Sequence, residues 1–172
     1  MAITKIQSES LNLADDYAFT GTITGAGEAN TPIFHAYNSS AQGALNSSTW
    51  STVTLGSEKH DPQSTFASNQ FSPSSTGYYY LEGSATCNDI SASGDQFRLR
   101  IYNATQSSVI QTSASGGSTG GSLLRIVVSA IVNVTDVDDN YELQYWQNAG
   151  GLRYLQGDTD SSTYFLGYKL AS

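Results

Sequence analysis

No stretch of this chain sustains the apolar spacing of an amphipathic helix. Its apolar residues alternate, or run together over short spans, between clusters of turn residues. Ile33, His35 and Tyr37 alternate, and Trp50, Val53 and Leu55 form a short, imperfectly alternating strand. Phe66 and Phe71 lie in a Ser/Asn-rich stretch of short strands and turns. A turn ending in Gly77 runs into Tyr78, Tyr79, Tyr80 and Leu81. Phe97, Leu99 and Ile101 alternate with Arg98, Arg100 and Tyr102, so one face points inward and the other outward or to an interface. Residues 114–122, ASGGSTGGS, read as a loop. Leu123 to Val134 is the most apolar run, and its Ile and Val content favours a central strand over a helix. An acidic turn, TDVDDN, leads to a strand from Tyr141 to Trp146, then a turn at Asn148, Ala149, Gly150 and Gly151. Leu152–Leu155 and Tyr164–Leu170 complete the set as a last strand pair. About eight to ten strands at this spacing imply an all-β sandwich or jelly roll.

Composition supports that class. Hydrophobic residues make up 38% of the 172, enough for the core of one domain. Charged residues make up only 13%, so the polar surface is built mainly from Ser, Thr, Asn, Gln and Gly. Ser, Thr and Asn compete with a helical backbone for hydrogen bonds, whereas the 11 Tyr and 6 Phe suit pleated surfaces.

The net charge of −8 and the scatter of the 7 basic residues argue against nucleic acid and against an acidic membrane as partners. The single cysteine, Cys87, excludes an intrachain disulfide and reads as a small buried hydrophobe in a strand. A catalytic thiol needs a nearby imidazole, and His35 and His60 are distant in sequence. The opening MAITKIQSES lacks the apolar core of a signal peptide. No run approaches the roughly 18 apolar residues that cross a bilayer. The expectation is a protein made and folded in a reducing cytosol, or exported by riding on something else.

The first 30 residues differ from the rest. Leu11, Leu13, Tyr17, Phe19 and Ile23 hint at strand without enough apolar mass for a core, and GAGEAN reads as a hinge. The expected division is an arm over 1–30 and a jelly-roll domain over 31–172.

From about Thr31 onward the order of motifs resembles the C1q/TNF-like jelly roll. TPIFHAY is similar to that family's first strand. FSPSSTGYYYLEGSA resembles its Phe, Pro, then Gly-x-Tyr-Tyr-Phe signature, with Gly77, Tyr78, Tyr79 and Tyr80 in the Gly and aromatic positions. DQFRLRIYNA is similar to the strand that ends in the family's Lys-Asn-Gly turn, here Asn103-Ala104-Thr105. LLRIVVSAIVNVTDVDDNYELQYW resembles its apolar strand, acidic turn and next strand, and STYFLGYKL its closing Ser-x-Phe-x-Gly-x-x-Leu through Ser162, Phe165, Gly167 and Leu170. The resemblance implies a homotrimer, with Tyr78, Tyr80, Phe97, Tyr145, Phe165 and Tyr168 as candidates for its core and interface. LNLADDYAFTGTITGAG resembles a segment of bacteriophage fibre and structural proteins that introduces a variable C-terminal domain. It makes Leu11, Leu13, Tyr17 and Phe19 candidates for docking to other virion proteins of a capsid or tail.

The chemical constellations are sparse. Asp136, Asp138 and Asp139, with Glu142 close by, make an oxygen-rich turn and a weak candidate Ca²⁺ site. They lack the Gly and Glu of an EF-hand, and a solvated turn is the plainer reading. Asp158 and Asp160 have no motif that would make them a glycosidase pair. No Ser/His/Asp or His-x-His pattern surrounds either histidine. Four sequons, at Asn38, Asn46, Asn103 and Asn133, fit a Ser/Asn-rich chain without modification. Tyr78, Tyr79, Tyr80, Tyr141, Tyr145, Trp146, Tyr154, Tyr164 and Tyr168 suit a core and trimer axis. The alternative is a carbohydrate-binding module whose loop aromatics, Tyr154 foremost, stack on sugar rings. The expectation is therefore a non-enzymatic, homotrimeric protein of a bacteriophage surface, a head decoration, head fibre or tail fibre without a cofactor, that stabilises the capsid or touches a host-surface glycan.

Overall fold

A computed structural model describes residues 32–88, 90, 92, 94–117, 123–150, 153–158 and 162–171. The arm and its docking candidates Leu11, Leu13, Tyr17 and Phe19 lie outside these residues. The described chain forms eleven strands: β1 (Ile33–Tyr37), β2 (Ser51–Thr52), β3 (Ser57–His60), β4 (Phe66–Ala67), β5 (Gln70–Phe71), β6 (Gly77–Asn88), β7 (Gln96–Asn103), β8 (Ser108–Gly116), β9 (Leu123–Val134), β10 (Tyr141–Gln147) and β11 (Tyr164–Ala171). One sheet has the order β3-β1-β11-β6-β9, the other β4-β5-β10-β7-β8, with β2 paired to β10. Every strand pairing is antiparallel. The fold is the expected all-β jelly roll.

Alternation along each strand builds the core. Tyr79, Leu81, Ala85 and Cys87 of β6, Phe34 and Ala36 of β1 and Phe165 of β11 point inward from the first sheet. Phe71, Phe97, Leu99, Ile101, Tyr141, Leu143 and Tyr145 meet them from the second. At one end of this layer Phe34 stacks on Phe71 at 4.5 Å and meets Phe165 edge-on at 5.1 Å. Such offset and edge geometries add to area burial because ring quadrupoles then attract.

Four local readings need correction. The apolar run of β9 is not central: it closes the edge of the first sheet, beside β6. It reads as continuous because Ile126, Val128, Val132 and Val134 point inward while Val127 and Ile131 are apolar on the outer side too. Ala114 to Gly116 belong to β8, where pairing to Gln96, Phe97 and Arg98 overrides their loop-like composition. Leu155 lies in no strand and bridges singly to Gln42 and Cys87. Pairing near Trp50, Val53 and Leu55 shrinks to β2, where Ser51 and Thr52 meet Tyr145 and Gln144.

The topology gives the sandwich two poles. Ile33 faces Tyr168 across β1 and β11, and Gly77 faces Val134 across β6 and β9. Entry to β1, the end of β11 and the acidic turn after β9 therefore share one pole. Tyr154, whose N–H donates to Asn88 Oδ1 at 2.7 Å, sits at the other.

Candidate functional surfaces

The outward face of the first sheet is apolar and aromatic. Register sets its rows: Ile33–Tyr168–Tyr80–Ile131, then His35–Leu166–Glu82–Ser129, then Tyr37–Tyr164–Ser84–Val127. Solvent-facing sheet faces normally carry polar side chains. Here Ile131 is 67% exposed, and Val127 and Tyr78 are also exposed on the same side. Tyr80 and Tyr168 pack at 5.5 Å, as do Tyr164 and His35.

Among the described residues, a single carboxylate interrupts the centre of this face. Glu82 accepts hydrogen bonds from the Tyr80 hydroxyl and, at 2.7 Å, from the Tyr164 hydroxyl. Burial, then this bond and the charge of Glu82, push the Tyr164 phenol up to about 12. Tyr80 is raised by its bond to Glu82 first, with burial second. His35, opposite His60 in register, has its Nε2 buried without a partner. Burial first and the nearby Lys59 second hold its pKa below the usual value.

The six interface and core candidates divide. Phe97, Tyr145 and Phe165 are core residues, whereas Tyr78, Tyr80 and Tyr168 lie on the outer face of the first sheet. That partition follows strand parity, which fixes the inside only once the register is known.

The acidic turn is held by its own hydrogen bonds. Asp136 Oδ1 accepts from the Asp138 N–H at 3.0 Å, and the buried Asp139 carboxylate accepts from Gln106 Nε2 at 2.9 Å and from the Tyr141 hydroxyl at 3.3 Å. Among the described residues no group of three or more His, Cys, Asp or Glu could hold a metal ion. Glu142 is not part of this turn: it belongs to β10 and faces the opposite way, onto the second sheet. Asp158 Oδ1 accepts from the Ser162 N–H at 3.0 Å, which closes a turn, and its sequence companion Asp160 lies outside the described residues. Cys87 is fully buried in β6.

The outward face of the second sheet is a polar and aromatic ladder. The Arg100 guanidinium lies 4.1 Å from the centre of the Trp50 ring and 4.4 Å from that of Tyr102. Arg98 lies 4.6 Å from the centre of Trp146. Arg100 Nε and Nη2 donate to Gln144 Oε1, and Arg98 Nη2 donates to Gln96 Oε1. Glu142 accepts from Thr52, Gln70 and Gln144. This cover explains why Glu142 and Gln144 are buried although they point away from the core. The alternation Arg98-x-Arg100-x-Tyr102 was the readable half of the face; the convergence of Trp50, Trp146 and Gln144 on it depends on the β2–β10–β7 pairing.

No protein-family model and no curated protein matches the chain. Among solved structures it is similar to murine APRIL at pH 5.0, with a TM-score of 0.59, 9% identity, 80% of this chain and 98% of that chain covered. It is also similar to the Eiger TNF of S. frugiperda, with a TM-score of 0.59, 12% identity and coverage of 81% and 92%. The fold is thus TNF-like.

Proposed function

We propose that this chain is a non-enzymatic structural protein of a bacteriophage surface that works as a homotrimer and is attached through its first 30 residues. The observation that carries the reading is the outward face of β1, β11, β6 and β9. Burying its aromatic and aliphatic side chains against further copies of the chain removes apolar area from water, at about 25 cal/mol per Å². The TNF-like fold of the sandwich supports a threefold arrangement. Placement on a virion, as head decoration, head fibre or tail fibre, is supported by the resemblance of LNLADDYAFTGTITGAG to phage fibre segments. The poles support the division of labour: an arm entering at β1 leaves Tyr154 and the loops around it at the far pole, free for a host surface.

Light scattering of the full chain and of a chain beginning at Thr31 tests the reading. Both are expected at a mass near three times that of the chain, 18.3 kDa for the full length. Monomers in both would remove the trimer, and a trimer only with the arm present would move assembly to the arm. Binding of the full chain, but not the shortened one, to phage particles stripped of it is the expected sign of docking.

A further inference from the structure

The outer face of the second sheet holds two guanidiniums that hydrogen-bond to no carboxylate among the described residues, and of the two it is Arg100 that the charge of Glu142 reaches. The chain carries 15 acidic residues against 7 basic ones, so counterions are abundant. Yet the hydrogen bonds of Arg98 and Arg100 go to the amide oxygens of Gln96 and Gln144. The one carboxylate on the face among the described residues, Glu142, takes its hydrogen bonds from neutral donors: Thr52, Gln70 and Gln144. Arg98 Nε is buried and has no hydrogen-bond partner. Arg98 and Arg100 stand two residues apart on the same side of β7, so their charges repel across a short gap, and an anion placed between them relieves that repulsion. Each keeps further N–H donors that no described residue accepts from.

The aromatic groups fix these guanidiniums in place. Trp50 and Tyr102 both lie against Arg100, and Trp146 lies against Arg98. With Arg100 Nε and Nη2 engaged by Gln144 and Arg98 Nε buried, what each ring-braced guanidinium offers a carboxylate is its remaining terminal N–H groups. Trp50, Tyr102 and Trp146 are only partly buried, and the described residues enclose no pocket. A ligand here lies along a surface, where aromatic flanks and the side-chain amides of Gln70 and Gln96 meet the apolar faces and hydroxyls of sugar rings.

We infer that this face, centred on Arg98, Arg100, Trp50 and Trp146, binds a carboxylated glycan chain of the uronic-acid type. The inference does not depend on the trimer, and the site is distinct from the loop around Tyr154.

Both tryptophans of the chain sit on this face, so intrinsic fluorescence reports on it directly. The full chain is titrated with galacturonate oligomers and run through native gels containing polygalacturonate, the same polymer with its carboxyls reduced, or dextran. Expected are a saturable change in tryptophan emission and retardation by polygalacturonate alone. Arg98→Gln and Trp146→Ala each weaken binding about tenfold or more. Arg98→Lys, which keeps the charge and loses the planar guanidinium, weakens it as well. Absence of both signals overturns the inference, as does equal retardation by the carboxyl-reduced polymer or by dextran. Wild-type binding by folded Arg98→Gln protein removes the site. Should Trp146→Ala fail to fold, Arg98→Gln and the fluorescence titration still decide. Trimer formation in light scattering is read separately, so either proposal can fail alone.

Discussion

Gly83 of β6 lies against Leu143 of β10 across the sandwich so closely that a Cβ on Gly83 would stand 2.9 Å from Leu143 Cδ2 and nearer still to Cδ1. Leu143 is fully buried between the sheets, so its methyl groups would have to shift within a packed core. Gly83→Ala is expected to lower stability by about 1–3 kcal/mol, the usual cost of forcing extra atoms into a packed core. Gly83→Val should cost more. Urea unfolding followed by tyrosine and tryptophan fluorescence measures both.

Asp61 holds the bend that delivers Phe66 to the core. Its Oδ1 accepts from the Thr65 N–H at 2.9 Å and from the Thr65 hydroxyl at 3.0 Å, and its Oδ2 accepts from the Phe66 N–H at 2.8 Å. Phe66 then stacks on Phe34 at 5.3 Å. Asp61→Ala strands these donors in part-buried surroundings and is expected to cost about 1–3 kcal/mol. Asp61→Asn, which keeps one acceptor oxygen, should cost less; the same unfolding series tells the two apart.

Alkali should loosen the fold through its buried phenols. Tyr164 is raised from 10.0 to about 12, with burial as the larger cause and Glu82 the next. The folded state keeps this proton where the unfolded chain has lost it, so stability is full below pH 10 and falls as pH rises towards 12. Tyr79 and Tyr141 are raised as well, mainly by burial, and act in the same direction. Tyr164→Phe should flatten part of this fall when melting temperature is recorded against pH.

Acid should act through His35. Its pKa is lowered from 6.5 by burial and by Lys59, so the unfolded chain binds a proton that the folded one refuses. The stability this represents is present above pH 6.5 and declines as pH falls below it. The groups around the ring are Lys59 and His60 on β3 and Tyr164 on β11. A His35→Leu chain is expected to lose that part of the acid slope, as read from urea midpoints across the same pH range.

Self-association should be separable from folding at Ile131. Its side chain is 67% exposed on the outer face and supports no core contact within the sheet. Ile131→Lys is expected to leave the far-UV circular dichroism of the folded chain like that of the wild type and to shift the light-scattering mass towards the monomer. Unchanged mass would move the interface away from β9.

Some of this molecule is readable from residue order and some is not. Phe97, Leu99 and Ile101 announce a half-buried strand by period alone, and they are fully buried in β7. Cys87 reads correctly as a buried hydrophobe, since a small thiol at an inward position of an alternating strand packs like one. The edge position of β9 is invisible to period, since a strand apolar on both sides looks central whether its outer face meets protein or not. β3, SEKH, carries no strand signal and owes its pairing to β1. The pairing of His35 with His60 and the gathering of Trp50, Arg100 and Tyr102 depend on long-range register. A hydrophobic pattern specifies which way side chains point more readily than it specifies neighbours.

The place of β1, flanked by β3 on one side and β11 on the other, has a mechanical meaning. A tug on residue 32 along the strand axis strains both hydrogen-bond ladders at once, sideways to every bond, rather than peeling them one by one. Rupture then requires the whole strand to slip in a single event, and forced unfolding is governed by the height of that barrier. A tether leaving at this point loads both ladders of β1 in shear.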